Sequence, residues 1–590
     1  MVLIERSKLT FSQAFVISFR MGLFIAHHEW YERVYAFACF ALLLGNLLIF
    51  PTITFSSDKT SVDRPYIFWL NDNQDDREDT ETVPVQIPDN ADESIRTKRD
   101  LEDFQRIAIR ITPPEAIRDP TISVALKWKN VVGSPSVRIY KAYVNDPGPN
   151  GMKYLEDDAI ATQQISGEFG NAKATIAGTN PVVLDKSLFL NLTNQVPYIV
   201  FLFEGVQVGK GSLTFCLMQN KKIIVESELL YMDLRKVTDM YSQVQALPVE
   251  GIADPYQYFP EQPPFDPGVS WQDTTSTNFQ KPVNETNQCI VFVHGWNVSD
   301  KRFYQQANSM FKRLWLQGFK GRFVAFRWPS VVSGEEDPDW WSTIQNAEHY
   351  FEIEHRGFKY GKALKQYVEY LVSPAGGGFT VHVIGHSMGN IVVSEALKQG
   401  APISEYVLLD AAVSAGCYDT QDELINPSIG EPLTVPDFAA DGGYRGYFIG
   451  LSGLTNFYNS DDEALVSWED GNLLKRDFVF LGGMQYFNEG GVKLKKLQSQ
   501  PPSFSPPDPR SVNDIHESMA MFAVSRTRTV GVEARTRGAV LNPIDLKTFF
   551  SSENKAHSAP FDLPIQYNGT AGVKACYQEI LRRFKIPFNP

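Results

Sequence analysis

The chain has 590 residues and a net charge of −14, with 43% hydrophobic and 21% charged residues. A chain of this length is too long for one hydrophobic core, which predicts two folded domains joined by linkers. Its apolar content excludes wholesale disorder. Its acidic balance argues against a nucleic-acid partner, because no surplus of Lys and Arg exists to neutralise phosphates. Five scattered cysteines without a Cys-x-x-Cys pair predict neither a disulfide framework nor a metal site, and no cofactor is expected.

The N-terminal region contains one long uncharged run. Residues 34–57 carry no charged side chain and are long enough to cross a bilayer, which predicts a transmembrane helix after an N-terminal segment at 1–33. A buried core helix is the alternative explanation for the same run. A signal peptide is disfavoured by the long leader and by the absence of an A-x-A-like cleavage site.

The region between this run and residue 287 divides into three segments of different composition. Residues 58–104 are acidic and polar, which is typical of a solvated spacer. Residues 105–250 contain short alternating apolar runs separated by turn signals, which predicts a β-sandwich-like domain. Residues 251–287 are rich in proline and aromatic residues and are interpreted as a linker.

The C-terminal region, residues 288–590, alternates strand-like and helix-like segments, which predicts a mostly parallel α/β sheet. One predicted strand runs into Gly-His-Ser-Met-Gly at 385–389, and a helical pattern follows at once. In this context Gly-x-Ser-x-Gly indicates a nucleophile elbow. The turn is so tight that side chains at Gly385 and Gly389 would collide with the adjacent strand and helix.

A serine nucleophile at Ser387 needs a base, which a carboxylate orients. In this topology the histidine follows the serine in the chain, and only His516 and His557 do so. His557 lies in a predicted loop before the final helix, where a positioned imidazole is expected. His516 opens a helical stretch and could equally be a capping or solvent-facing residue.

Two aspartates are candidates for the acid. Asp410 ends the predicted strand after the elbow helix, and Asp462 follows the next strand at the head of a helical run. Either could instead be a helix N-cap, the commonest use of an aspartate at the end of a strand.

The oxyanion hole requires two backbone N–H donors aimed at the reacting carbonyl oxygen. The sequence predicts Met388, which follows the nucleophile, and Trp296, in the loop after the first strand of this region. His294, in the same loop, precedes the serine in the chain, and a structural hydrogen-bonding role is therefore predicted for it.

Four segments of the C-terminal region resemble motifs of the α/β-hydrolase superfamily. In particular, they are similar to a largely uncharacterised bacterial branch that joins this domain to an N-terminal β-rich region. The resemblance covers residues 288–590 well and residues 1–230 hardly at all. The segments are Val-His-Gly-Trp-Asn at 293–297, Gly-His-Ser-Met-Gly-Asn at 385–390, Ser-Asp-Asp-Glu-Ala-Leu at 460–465 and His-Ser-x-x-Phe at 557–561.

The resemblance implies ester hydrolysis through an acyl-enzyme, with Ser387 attacking, His557 moving the proton and Asp462, rather than Asp410, orienting the imidazole. The expected protein is a single-pass, membrane-anchored serine hydrolase of the lipase or carboxylesterase type, acting on a lipid-like or acylated ester outside the cytoplasm or in the periplasm. The alternative is a catalytically silent scaffold that binds a partner, of unknown identity, through its β-rich domain. An insertion at 411–450 and the aromatic segment around Trp340-Trp341 are candidates for a roof over the site.

Overall fold

We describe the protein from a computed structural model. The structure describes residues 52–55, 60–71, 101–227, 230–248, 268–331 apart from 283, 350–413, 451–459 apart from 452, 462, 542–550, 557–567 apart from 564 and 566, and 571–588. Within these ranges the strands form two sheets, one from residues 52–235 and one from residues 242–545.

The first sheet is largely antiparallel and has nine strands among the described residues. Two of them, Ile122–Lys141 and Tyr198–Gln219, are long. Each pairs with different strands along its two halves, and all nine strands are thereby hydrogen-bonded into one sheet. The nine strands of the predicted β-rich domain therefore belong to one hydrogen-bonded network. The strands are β1 (Thr52–Phe55), β2 (Tyr66–Trp69), β3 (Phe104–Thr112), β4 (Ile122–Lys141), β5 (Ala174–Ala177), β6 (Val182–Val183), β7 (Tyr198–Gln219), β8 (Lys222–Glu226) and β9 (Leu230–Arg235).

The N-terminal strands correct two predicted boundaries. Strand β1 pairs antiparallel with β3, so a transmembrane helix cannot extend to residue 57 as predicted. The rest of that segment, residues 34–51, lies outside the described residues. Strand β2 pairs parallel with β9, and its Phe68 and Trp69 are buried, although the sequence assigned them to a solvated spacer. No helix in the described ranges is long and apolar enough to span a membrane.

The second sheet has eight strands among the described residues, in the order β11-β10-β13-β12-β14-β15-β16-β17. Its neighbouring strands run parallel, except that β10 and β11 pair antiparallel. The predicted α/β sheet is therefore observed, and it begins before the predicted start at residue 288. Its first strand lies in the predicted β-rich domain (105–250), and its second lies in the predicted linker (251–287). The strands are β10 (Ser242–Leu247), β11 (Ser270–Asp273), β12 (Gln288–Val293), β13 (Arg322–Arg327), β14 (Thr380–His386), β15 (Glu405–Leu409), β16 (Gly453–Tyr458) and β17 (Asn542–Asp545).

Helices cover both faces of the second sheet. Alternate residues of β12 belong to different cores, with Ile290 and Phe292 in one and Val291 and Val293 in the other. The first core continues into the β-rich domain, so one helical layer lies between the two sheets. The helices are α1 (Asp158–Ile165), α2 (Asp300–Leu316), α3 (Tyr350–Val372), α4 (Gly389–Lys398), α5 (Ala559–Asp562) and α6 (Val573–Arg583). Short 3₁₀ turns include Leu101–Asp103 and Val237–Asp239.

Parallel strands bring their carboxyl ends to one edge of the sheet. The residues that follow β12, β14, β15 and β16 therefore lie along that edge, where ligands bind in open α/β sheets. The predicted oxyanion loop, the elbow and both candidate aspartates follow these four strands in that order.

Candidate active site

The turn between β14 and α4 has the geometry of a nucleophile elbow. Ser387 has φ of 52°, in the left-handed region that residues other than glycine seldom adopt. Its amide donates to the carbonyl of Leu409 at the end of β15 (3.0 Å). Its carbonyl accepts from the amide and from Nδ2 of Asn390 (3.2 and 2.9 Å). Neighbours on both sides therefore hold the strained serine in place.

The two glycines of the motif make the predicted close approaches. A Cβ on Gly389 would lie 2.3 Å from the carbonyl oxygen of His294 and 2.5 Å from that of Val293. A Cβ on Gly385 would lie 2.5 Å from Oδ1 of Asn390. These distances are shorter than Cβ contacts in proteins, so the elbow leaves no room for side chains at either position.

The loop after β12 passes directly beside the serine. A Cβ on Gly295 would lie 2.7 Å from Cβ and 3.3 Å from Oγ of Ser387, so only glycine lets this loop come so close. Trp296, one of the two predicted oxyanion donors, follows immediately in the chain. The amide of Met388, the other, has no hydrogen-bond partner among the described residues. A free N–H beside the nucleophile is suited to bind a developing oxyanion.

His294 fixes the shape of this loop. Its Nδ1 donates to the carbonyl of Gly295 (3.0 Å), and its Nε2 accepts from the amide of Trp328 (3.2 Å). The amide of Asn297 donates to the carbonyl of Ser330 (2.9 Å). Burial lowers the pKa of His294 to about 3, which keeps the imidazole neutral. The predicted structural role of His294 agrees with these contacts.

His557 and Asp462 are directly hydrogen-bonded. Nδ1 of His557 donates to Oδ2 of Asp462 at 2.6 Å, although the two residues are far apart in sequence. The Asp462 side chain is fully buried, whereas that of His557 is 20% exposed. This pair has the base-to-carboxylate geometry of a catalytic triad.

His386 connects this pair to the elbow. It is the residue before Ser387, its Nε2 donates to the carbonyl of His557 (3.2 Å), and the two imidazole centroids are 5.0 Å apart. Burial, with the nearby His557 adding to it, holds the pKa of His386 well below its usual range. A neutral His386 thus ties the His557 segment to the end of β14. This role could not be predicted from sequence, because the position between Gly and Ser in the motif carries no chemical requirement.

Asp410 is placed differently from Asp462. It follows β15 directly with φ of 44°, is fully buried, and neither carboxyl oxygen has a hydrogen-bond partner among the described residues. Burial raises the pKa of Asp410 well above its usual range, and the nearby Asp462 carboxylate raises it further. Two carboxyl groups in one buried site do not both ionise readily, and burial disfavours the charged form of Asp410.

Three predicted features lie outside the described residues. They are His516, the Trp340-Trp341 segment and, apart from Ala411, Ala412 and Val413, the insertion at 411–450.

Comparison with known proteins agrees with this architecture. Residues 271–413 match the family described as an alpha/beta hydrolase of unknown function (DUF900). The matched span includes β12 to β15, and with them the oxyanion loop, the elbow and Asp410. A search of curated proteins finds no match. Residues 271–413 of this chain therefore belong to an α/β-hydrolase family.

Proposed function

We propose that this protein is a serine hydrolase that cleaves carboxylic esters, with Ser387 as nucleophile, His557 as general base and Asp462 as the orienting carboxylate. The observation that carries the proposal is the 2.6 Å hydrogen bond from His557 to the buried Asp462. Its position beside the elbow is supported by the contact between His386 and His557. A base and its carboxylate next to a strained serine are suited to acyl transfer.

Acylation begins when Oγ of Ser387 attacks the ester carbonyl carbon while Nε2 of His557 takes the hydroxyl proton. The carbonyl oxygen becomes an oxyanion and accepts hydrogen bonds from the amides of Met388 and Trp296. Asp462 holds the Nδ1–H tautomer and stabilises the imidazolium cation. Collapse of the tetrahedral intermediate breaks the bond to the alcohol oxygen, which leaves with the proton from His557.

Deacylation repeats these steps with water. His557 takes a proton from a water molecule, which attacks the carbonyl of the acyl-serine. The second oxyanion uses the same two amides, and Oγ of Ser387 leaves with the proton from the imidazolium. The products are a carboxylic acid and the regenerated serine, so the cycle needs no cofactor.

The ester specificity is tested with p-nitrophenyl esters of increasing acyl length and a matched p-nitroanilide. We expect wild-type protein to hydrolyse at least one ester, and Ser387→Ala to lose that activity to the background level while keeping its thermal unfolding midpoint. Turnover of the anilide but of no ester would replace the ester assignment with amide hydrolysis. A folded wild-type protein that turns over none of these substrates would favour the alternative of a silent binding scaffold.

We also propose a membrane anchor, which is shorter than the helix predicted at residues 34–57. Residues 34–51 are uncharged and are within the length range of a transmembrane helix, while strand β1 begins at Thr52. In this proposal the β-rich domain lies directly at the membrane surface. We propose that this is the extracytoplasmic surface, where a lipid-like ester would be accessible. Deleting residues 1–51 keeps β1 and should move active protein from the membrane fraction to the supernatant. Persistent sedimentation of the truncated protein with lipid would contradict this anchor.

A further inference from the structure

Arg313 holds the segment that follows His557. It lies near the end of α2, and its side chain is only 1% exposed. Nη1 donates to the carbonyls of Pro560 (2.6 Å) and Phe561 (3.2 Å), and Nη2 donates to the carbonyl of Leu563 (2.9 Å). One guanidinium group thus binds three carbonyl oxygens of the turn formed by α5. Charge-assisted hydrogen bonds of this kind are stronger than neutral ones and fix geometry.

The Nε donor of this guanidinium reaches the β-rich domain. Nε of Arg313 donates to Oε1 of Glu102 at 2.7 Å, and both side chains are buried. Glu102 belongs to the 3₁₀ turn Leu101–Asp103, which leads directly into β3. A buried guanidinium is costly to desolvate without a counter-charge, so Glu102 stabilises Arg313 in its clamping position.

The clamped segment begins three residues after the base. Ser558 is the only residue between His557 and α5, and the amide of Phe561 donates back to the carbonyl of Ser558 (2.9 Å). The hydroxyl of Tyr577 in α6 donates to the carbonyl of Pro560 (2.9 Å). On the other side, His386 holds the carbonyl of His557 itself. The position of His557 therefore depends on contacts that end in the other domain.

We propose that the β-rich domain is an internal positioning element of the active site, in which Glu102 acts through Arg313 to hold His557 in register with Asp462 and Ser387. Glu102 and Arg313 are positioning residues, because neither touches the reacting atoms. The proposal rests on the proposed function for its effect on rate. Its structural part, coupling of Glu102 to the 557–563 segment, stands independently of that function.

The same 3₁₀ turn supplies a matched control. Asp103 is the neighbour of Glu102, is equally buried, and accepts from Nζ of Lys312 (2.6 Å) and from Nε1 of Trp69 (2.7 Å). Glu102→Gln and Asp103→Asn each neutralise one carboxylate in the same turn and each leave a buried cation without its counter-charge. General weakening of the domain interface therefore affects both variants, whereas loss of the clamp affects only Glu102→Gln.

The experiment uses full-length protein and makes two measurements. The first is hydrogen exchange of peptides covering residues 557–563. The second is the rate of fluorophosphonate labelling, divided by the number of sites that are labelled at completion. We expect Glu102→Gln to speed exchange of the Phe561 and Leu563 amides by about tenfold. It should slow labelling by roughly 10- to 100-fold, as displacement of a catalytic group does. Asp103→Asn should change neither by more than about twofold. Dividing the labelling rate by the final number of labelled sites removes the effect of a smaller folded fraction.

If Glu102→Gln does not fold, Glu102→Asp keeps the charge, shortens the side chain and should give a smaller change in the same direction. Equal effects of the Glu102 and Asp103 variants on the 557–563 peptides, or no effect of either, would overturn the proposal. Wild-type protein that does not react with fluorophosphonate, while exchange still responds only to Glu102, would contradict the proposed function and leave the coupling intact.

Discussion

Asp462→Asn is expected to lower kcat by about 10⁴-fold with little change in the thermal unfolding midpoint. The carboxylate accepts the Nδ1–H of His557 at 2.6 Å, which leaves Nε2 unprotonated and able to take the serine proton. An asparagine side chain can offer its NH₂ group to Nδ1 instead, which favours the opposite tautomer and places a proton on the wrong nitrogen. The measurement is steady-state hydrolysis of the best p-nitrophenyl ester at saturating substrate.

Asp410→Asn is the matched control for that experiment. Asp410 lies in the same buried site, but its carboxyl has no hydrogen bond among the described residues. An amide there removes no hydrogen bond to His557 and replaces a buried carboxyl whose charged form is disfavoured, so we expect kcat to fall by less than about tenfold and the unfolding midpoint to stay the same or rise. If Asp410→Asn is inactive and Asp462→Asn has nearly wild-type activity, the orienting carboxylate is Asp410 and the assignment to Asp462 is wrong.

Gly389→Ala is expected to have the largest effect on stability. The added methyl group would lie 2.3 and 2.5 Å from two backbone carbonyl oxygens at the end of β12, and backbone cannot rotate away as a side chain can. Overpacking in a core costs about 1–3 kcal/mol and more where nothing yields, so we expect at least about 3 kcal/mol. The elbow would also shift away from the oxyanion loop, with loss of activity. Chemical denaturation of purified protein gives the stability change.

Gly400→Ala tests the other end of the same helical segment. Gly400 has φ of 84°, but a Cβ there meets no atom within 4 Å. Its cost is the strain of a left-handed backbone alone, about 1–2 kcal/mol, and activity should be retained. If Gly400→Ala destabilises the protein as much as Gly389→Ala, the close packing of the elbow against β12 is not what makes Gly389 necessary.

The elbow could be predicted from sequence because its requirements are local. The glycines, the serine and the flanking strand and helix lie within a few residues, and each satisfies a steric condition that other residues cannot. The choice between Asp410 and Asp462 could not be made locally, because both follow strands of the same sheet. In the structure, the hydrogen bond from His557 to Asp462 distinguishes them. The prediction of Asp462 from sequence depended on the family resemblance.

The domain boundaries were harder to predict because their evidence is non-local. The run Thr52–Phe55 belongs to an apolar stretch whose composition suits a membrane helix, and only its pairing with β3 identifies it as a strand. Strand β2 is four residues long and flanked by polar sequence. The ion pair of Glu102 with Arg313 joins residues 211 positions apart in the chain. Neither residue belongs to a sequence motif that would predict the contact.

The central claim is that Ser387 is a nucleophile driven by His557. The most direct measurement is mass spectrometry of peptides from full-length protein treated with a fluorophosphonate. We expect one equivalent of adduct on the peptide containing Ser387 in wild-type protein, and none at the same exposure in folded His557→Ala. An adduct on a different serine, or undiminished labelling of Ser387 without the His557 imidazole, would contradict the account.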